Sequence, residues 1–360
     1  MILSERIRNE KKSQIRIFGY GRKEGSEGMK KKGIVVLVAT LVILLVVLCF
    51  LLLRKPPAPE KVEKVRIGLL PDSVSALLYI ARQQGLFERH GLDVEFENYQ
   101  AGAYAVNDLL ANKIDVATAI EFVLVLQGFR REDLRAIGTI SSSETVEVVA
   151  RRDRGIAKSE DLKGKTIGSS KGTATDFFLS TFLSFHNIHP EEVRTVDVKP
   201  AEVLTALSEE KIDAAVSFSP YSGAIKKKLS GKILSWPAQG GRDFYYLLIT
   251  REDLVKTRPW VITGLLKAVL KAETFLKKHE REAQGIVTSI LGVDQEALKS
   301  TWSKTRFRVR LDQDLLTLIE DEGRWAIRNK LVDAEKIPDD STFLHPEGLR
   351  KIKPEAVGVN

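Results

Sequence analysis

From Val65 onward, short β-branched runs alternate with runs whose apolar residues recur at helical spacing. The pattern predicts a strand over 65–70 (VRIGLL), a helix over 75–87 (SALLYIARQQGLF), a strand over 93–99, a helix over 103–113 and a strand over 115–120. Such alternation favours a parallel sheet with helices on its faces. A strand and a polar crossover follow over 145–164, and another strand runs over 245–254 (YYLLITREDL). Beyond it, stretches over 259–279, 281–291, 295–304 and 311–331 keep helical spacing and should pack on a lobe.

The pattern also repeats. LLANKIDVATA (109–119) matches LSEEKIDAAVS (207–217) at an offset of 98, with Leu109, Lys113, Ile114, Asp115 and Ala117 identical to Leu207, Lys211, Ile212, Asp213 and Ala215. Upstream, Ile67-Gly68 resembles Ile167-Gly168. The period is too long for a solenoid and predicts two copies of one βαβαβ unit. The expected architecture is therefore α/β: two similar lobes joined by a two-strand hinge, with 65–149 plus 243–350 as lobe I and 150–242 as lobe II.

Ahead of the lobes, Gly33 to Leu53 is an uninterrupted apolar run without charge or proline. At about 1.5 Å per residue it spans a hydrocarbon core of about 30 Å. It is longer than a signal h-region and ends at Leu53-Arg54 without small residues, so it reads as an uncleaved transmembrane anchor. Leu48 stands where a lipobox before Cys49 needs a small residue. Charge sets the orientation. Up to Lys55 there are twelve Lys or Arg and four Asp or Glu, which accounts for the whole net charge of +8 and leaves 44 basic and 44 acidic residues beyond. The excess lies before the apolar run, so residues 1–32 are expected in the cytoplasm and the lobes outside. It is a topology signal, not a nucleic-acid footprint. Residues 54–64 (RKPPAPEKVEK, from Arg54) form a semi-extended spacer. Met29-Lys-Lys-Lys-Gly reads as an alternative translation start. Cys49 is the sole cysteine, so no disulfide or thiol chemistry is expected in the outer region.

YIARQQGLFERHGLDVEF, DLLANKIDVATA, EDLKGKTIGSSKGTATDFFL and ALSEEKIDAAVSFSPY resemble the periplasmic solute-binding proteins of ABC transporters. The resemblance is to the group that includes nitrate, sulfonate, taurine and hydroxymethylpyrimidine (thiamine-precursor) binders, and it covers roughly 65–345. It implies the type II periplasmic-binding fold, a small-molecule ligand between the lobes, permease and ATPase partners, no cofactor and a monomer. The chain departs from the group in its anchor, since members are usually secreted or lipid-anchored. A ligand-sensing domain and an enzyme on the same fold are the alternatives.

In open α/β sheets ligands bind beyond the strand C-termini. That rule selects Asp72 and Ser73 after the first strand, Gln100 after the second, Glu121 after the third, Ser141 and Ser142 after LRAIGTI, and Ser217, Ser219 and Tyr221 in lobe II. It also selects Lys171, Gly172, Thr173, Ala174, Thr175 and Asp176, in GSSKGTATDFF. This stretch is not a P-loop, because Lys171 precedes the second glycine. It follows a strand and opens a helix, so free amides there would hold an anion or an electron-rich atom. It also fits an ordinary helix cap, with Thr173 or Thr175 as N-cap and Asp176 in the first turn. Two of the acids Asp72, Glu121 and Asp176 in the cleft would favour a cationic ligand; the Thr173 loop with Lys171 would favour an anion. Enzyme signals are poor. His186 and His189 flank a helix end rather than an H-E-x-x-H, no G-x-S-x-G occurs, and the cysteines that the related pyrimidine synthase carries are missing. The basic run AIKKKL (224–229) reads as a solvated helix face.

Overall fold

The computed structural model describes residues 62–359 apart from 132, 220 and 340–342. The predicted cytoplasmic segment (1–32), membrane span (33–53) and most of the spacer (54–64) lie outside those residues. Among the described residues no helix is long and apolar enough to cross a membrane.

The first unit runs β1 (Glu63–Leu69), α1 (Ala76–Gln83), β2 (Leu92–Asn98), α2 (Gly102–Leu110), β3 (Val116–Ile120), α3 (Glu121–Gly128) and β4 (Leu134–Ser143). The chain then crosses into β5 (Glu147–Arg151), β6 (Thr166–Ser169), α4 (Ala174–Phe185), β7 (Arg194–Asp197), α5 (Val203–Ser208), β8 (Ala214–Ser217), α6 (Tyr221–Lys228) and β9 (Ile233–Pro237). It returns through β10 (Phe244–Arg251), α7 (Glu252–Thr257), α8 (Pro259–Lys278), α9 (Glu280–Leu291), α10 (Gln295–Trp302), β11 (Thr305–Arg306), α11 (Gln313–Arg328) and α12 (Glu347–Arg350).

One sheet has the order β11-β4-β10-β3-β1-β2 and the other β7-β6-β8-β5-β9. Each has a parallel trio, β2-β1-β3 or β7-β6-β8, as the βαβ alternation requires. In each, the strand next to the trio is antiparallel and has just crossed from the other lobe: β10 pairs with β3, and β5 with β8. Each lobe is thus completed by a strand that the other delivers. The middle strand β3 (VATAI) is almost wholly buried, the composition expected of a strand covered on both faces.

The internal repeat is visible atom by atom. Asp115 accepts the Arg66 amide at 2.9 Å, and Asp213 accepts the Thr166 amide at 2.9 Å. Their own amides return bonds to Arg66 O and Thr166 O, both at 2.9 Å. Each aspartate therefore locks the start of the middle strand to the first strand of its trio. The turns before them hold Asn112 and Glu210 in the same left-handed conformation, φ 58° in both. Gly68 and Gly168 occupy equivalent places: an added Cβ would lie 2.6 Å from Ile114 Cδ1 in one and 2.9 Å from Ile212 Cδ1 in the other. The sequence identities mark where the two copies need the same backbone.

Candidate functional site

A cavity of about 280 Å³ lies between the two sheets. From lobe I it is lined by Leu70 after β1, by Gln100 to Ala103 at the start of α2, by Ala119 and Ile120 ending β3, and by Val123. Phe244 and Tyr246, opening β10, complete that wall. From lobe II come Ser170 after β6, Thr173 to Thr175 and Phe178 of α4, Pro200, and Phe218 after β8; Val146 of the crossing closes the back.

Two helix N-termini meet there. Gly102 opens α2 so close to β3 that an added Cβ would sit 2.8 Å from the Ala119 Cα and 3.1 Å from Thr118 O, so only glycine lets this helix start against the strand. Across the cleft, Thr173 is the N-cap of α4 with extended backbone (φ −119°, ψ 175°). The first-turn amides of Gly102, Ala103, Ala174 and Thr175 donate no hydrogen bond within the described residues, as expected of helix starts without a side-chain cap. Both helices point their positive ends at the cavity.

The loop hydroxyls are spent locally. Thr173 Oγ1 donates to Ser170 O at 2.7 Å, so its 2.8 Å contact with Thr175 Oγ1 uses the Thr175 proton. The free amides are therefore left as donors at this end. Asp176 does not line the cavity; its carboxylate accepts the Gly172 amide at 3.1 Å, and burial pushes its pKa above the ordinary range. Gly172 itself lies at φ 70°. Lys171 is exposed, with its amide donated to Asp197 Oδ1 at 3.0 Å.

Of the other residues selected from the sequence, only Gln100 lines the cavity. Asp72 caps a short turn, accepting from Ser73 Oγ at 2.8 Å and the Val74 amide at 3.3 Å. Ser73 is buried and its hydroxyl lies 3.2 Å from Thr301 Oγ1. Ser141 donates to Val74 O at 2.9 Å, and Ser142 to Asp243 Oδ2 at 2.6 Å. Ser217 is buried, Ser219 is half-buried, and Tyr221 stands edge-on to Phe218 with ring centroids 5.4 Å apart.

Glu121 follows β3 directly but turns away from the cleft. It is fully buried and accepts the Tyr245 amide at 2.6 Å. Glu322 of α11, also fully buried, lies within hydrogen-bonding reach of it. Burial pushes Glu121 up to about 8, and burial together with the Glu121 carboxyl pushes Glu322 well up too. Both shifts favour a proton held between the two carboxyls, inside lobe I. His186 stacks on Phe182 with centroids 4.3 Å apart, and His189 is exposed. Among the described residues no three His, Cys, Asp or Glu side chains are grouped to hold a metal.

The cavity-lining residues that sequence reasoning missed include three aromatic ones, Phe178, Phe244 and Tyr246, as well as Val146. The strand C-terminus rule passes over β10 because it runs antiparallel to β3, so its N-terminal residues reach the cleft edge. Burial, with Asp72 and Glu121 nearby, pushes the Tyr246 phenol upward, and it stays neutral. No Lys, Arg, His, Asp or Glu lines the cavity among the described residues.

The sequence model of the family described as "NMT1/THI5 like" matches residues 72–283. The chain is 27% identical over 243 residues to a Brucella abortus protein named "Putative binding protein", spanning 66% of this chain and 74% of that one. It is 25% identical over 297 residues to the "Putative aliphatic sulfonates-binding protein" of Bacillus subtilis, spanning 79% and 88%. The crystal structure of the periplasmic aliphatic sulphonate binding protein SsuA from Escherichia coli superposes with a TM-score of 0.64 at 17% identity, covering 76% of this chain and 94% of that one. This structural likeness is one of fold: two α/β lobes around a cleft.

Proposed function

The chain belongs to the NMT1/THI5-like family, and from that premise we propose that its two-lobed domain is the solute-binding component of an ABC importer. The cavity carries the reading. It lies between the lobes, where strand ends and two helix starts converge, and its polar end offers amide donors without a lining carboxylate. That arrangement stabilises an anionic or electron-rich group through aligned dipoles and N–H donors. A relative named for binding aliphatic sulfonates supports the same sign of charge. Ligand binding would shift the population toward closed lobes, which a permease, driven by its ATPase, would recognise. Residues 33–53 would anchor the protein as a single span with the monomeric domain outside the membrane, and 54–64 would hold it clear of the bilayer.

The test begins with native mass spectrometry of the protein purified without refolding, which should retain a small anion. Calorimetry with that molecule, or with a panel of sulfonates if none is retained, gives the affinity. Ala174→Pro then removes one first-turn amide at a position where helices accept proline. Thr173 already has the extended backbone that a residue before proline needs. Affinity should fall roughly tenfold or more, since a hydrogen bond to a charged group contributes about 1.5–3 kcal/mol. Unchanged affinity in the folded variant would put the ligand elsewhere and overturn the reading.

A further inference from the structure

Rings face the cavity from both lobes: Phe178 and Phe218 on one side, Phe244 and Tyr246 on the other. Phe244 and Tyr246 are fixed edge to face, centroids 5.5 Å apart at 63°. Phe218 is held edge-on by Tyr221 at 87°. Rings on opposing lobes thus flank the cavity, and a flat π system packs against such rings edge to face or offset-stacked.

The cavity also offers a cation no carboxylate partner. The nearby acids that could have met an ammonium are turned to backbone amides: Asp72 to Val74, Asp176 to Gly172, Glu121 to Tyr245. An ammonium in the cleft would lose its water and meet only neutral oxygens and ring faces, with no lining carboxylate to pair its charge. The volume of about 280 Å³ falls just below the roughly 300 Å³ at which pockets begin to take drug-sized ligands. It suits one ring.

We infer that the cleft is built for a single-ring arene carrying one anionic group and no cationic one, and discriminates against short aminoalkane ligands. The inference rests on the cleft being the ligand site, and deepens that reading by assigning the ligand's body. Specificity then lies with Phe178 and Phe218, the rings that move with lobe II.

Calorimetry on the full chain with benzenesulfonate, ethanesulfonate and taurine tests it. Benzenesulfonate should bind at least tenfold more tightly than ethanesulfonate, and taurine at least tenfold more weakly than ethanesulfonate. Phe218→Ala should cost benzenesulfonate about tenfold and ethanesulfonate no more than about twofold; Phe178→Leu should act the same way. Equal affinities for the two simple sulfonates, or a preference for taurine, would overturn this inference and leave the cleft standing as the site. Benzenesulfonate binding that ignores both the Phe218→Ala and Ala174→Pro changes would place the arene outside the cleft and overturn it too. Binding of none of the three would overturn the inference and the anion reading together.

Discussion

Glu121 and Glu322 occupy one dry site, and their oxygens other than the one facing the Tyr245 amide have no donor from another residue. A proton held by the pair resolves that shortage, because a protonated carboxyl becomes a donor. Charge from Asp243 and Asp321 adds to the effect, although both are themselves paired, with Arg306 and with Arg242 and Arg324. In the unfolded chain a glutamate titrates at about 4.3; in the folded protein burial pushes Glu121 up to about 8. The folded state therefore keeps a proton that the unfolded state releases. This stabilisation is complete below the unfolded pKa, and it is lost as pH rises through the window toward about 8. Glu322→Gln supplies an N–H to Glu121 and removes one ionising partner. Its melting temperature should match the wild type near about pH 5 and exceed it by several degrees near about pH 8, at some 2–4 °C per kcal/mol. A wild-type melting temperature that is flat across this window, or a variant that keeps the full slope, would exclude a shared proton. From sequence, Glu121 reads as a cleft acid because it follows an apolar strand. Its partner is far along the chain, so spacing gives no hint of the pair. One signal was available: Glu322 sits on the buried stripe of α11 with Leu318, Ile319 and Trp325, where an unpaired acid should not be.

At the scale of elements, the repeat, the alternation and the two crossings are legible in the sequence because they depend on local period and on residues that each copy needs for the same backbone. The sheet order is not, because it depends on which lobe accepts each crossing strand. The crossings are tied by Gln239, fully buried, which accepts the Val146 amide at 2.8 Å and donates to Ser143 O at 3.0 Å and Arg242 O at 2.9 Å. Beside them Glu147, nearly buried at the start of β5, is gripped by two ammonium groups. Lys226 comes from α6 of its own lobe, and Lys304 reaches across from lobe I at 3.0 Å. Burial alone would raise Glu147, but the two lysines outweigh it and hold its pKa below the ordinary range. Lys304→Ala removes the inter-lobe pair while Lys226 still neutralises the carboxylate, so no bare buried charge results. Both lysines are about half exposed, so the pair contributes about 1 kcal/mol or less and the open-to-closed ratio should rise up to about fivefold. Spin labels at the repeat-equivalent positions 113 and 211, in a Cys49→Ser background, report this as a distance distribution without any ligand. Lys304→Ala should add weight to the component absent from the closed arrangement, and Lys226→Ala should not. An identical response from both variants would mean that the lysines stabilise β5 locally and do not restrain the hinge.

For the whole molecule, the lobes meet at more than the Lys304 contact. Trp325 of α11 donates its indole N–H to Ser180 Oγ of α4 at 3.1 Å and meets the Phe177 ring nearly perpendicular at 5.8 Å. Phe122 of α3 packs on Trp325 at 5.9 Å. The helix that carries the free amides at its N-terminus is thus braced, one face along, by α11 of the other lobe. Rotation about the crossings must separate these rings or slide them, and it must move Ala174 and Thr175 away from Gly102 and Ala103 at the same time. Where the rings separate, opening the cleft exposes Trp325. The four tryptophans report it unequally: Trp325 and Trp302 are buried, Trp236 is half-buried on β9, and Trp260 is exposed on α8 of lobe I. A ligand that closes the lobes should shift emission to the blue, and most of the shift should vanish in Trp325→Phe, whose ring still packs on Phe177 but has no N–H for Ser180. The same variant should release ligand faster, by about two- to tenfold for one neutral hydrogen bond of about 0.5–1.5 kcal/mol, with little change in association rate. If the blue shift survives in Trp325→Phe, the α4–α11 contact persists through opening, and the hinge axis must then run through that contact instead of through the crossings alone.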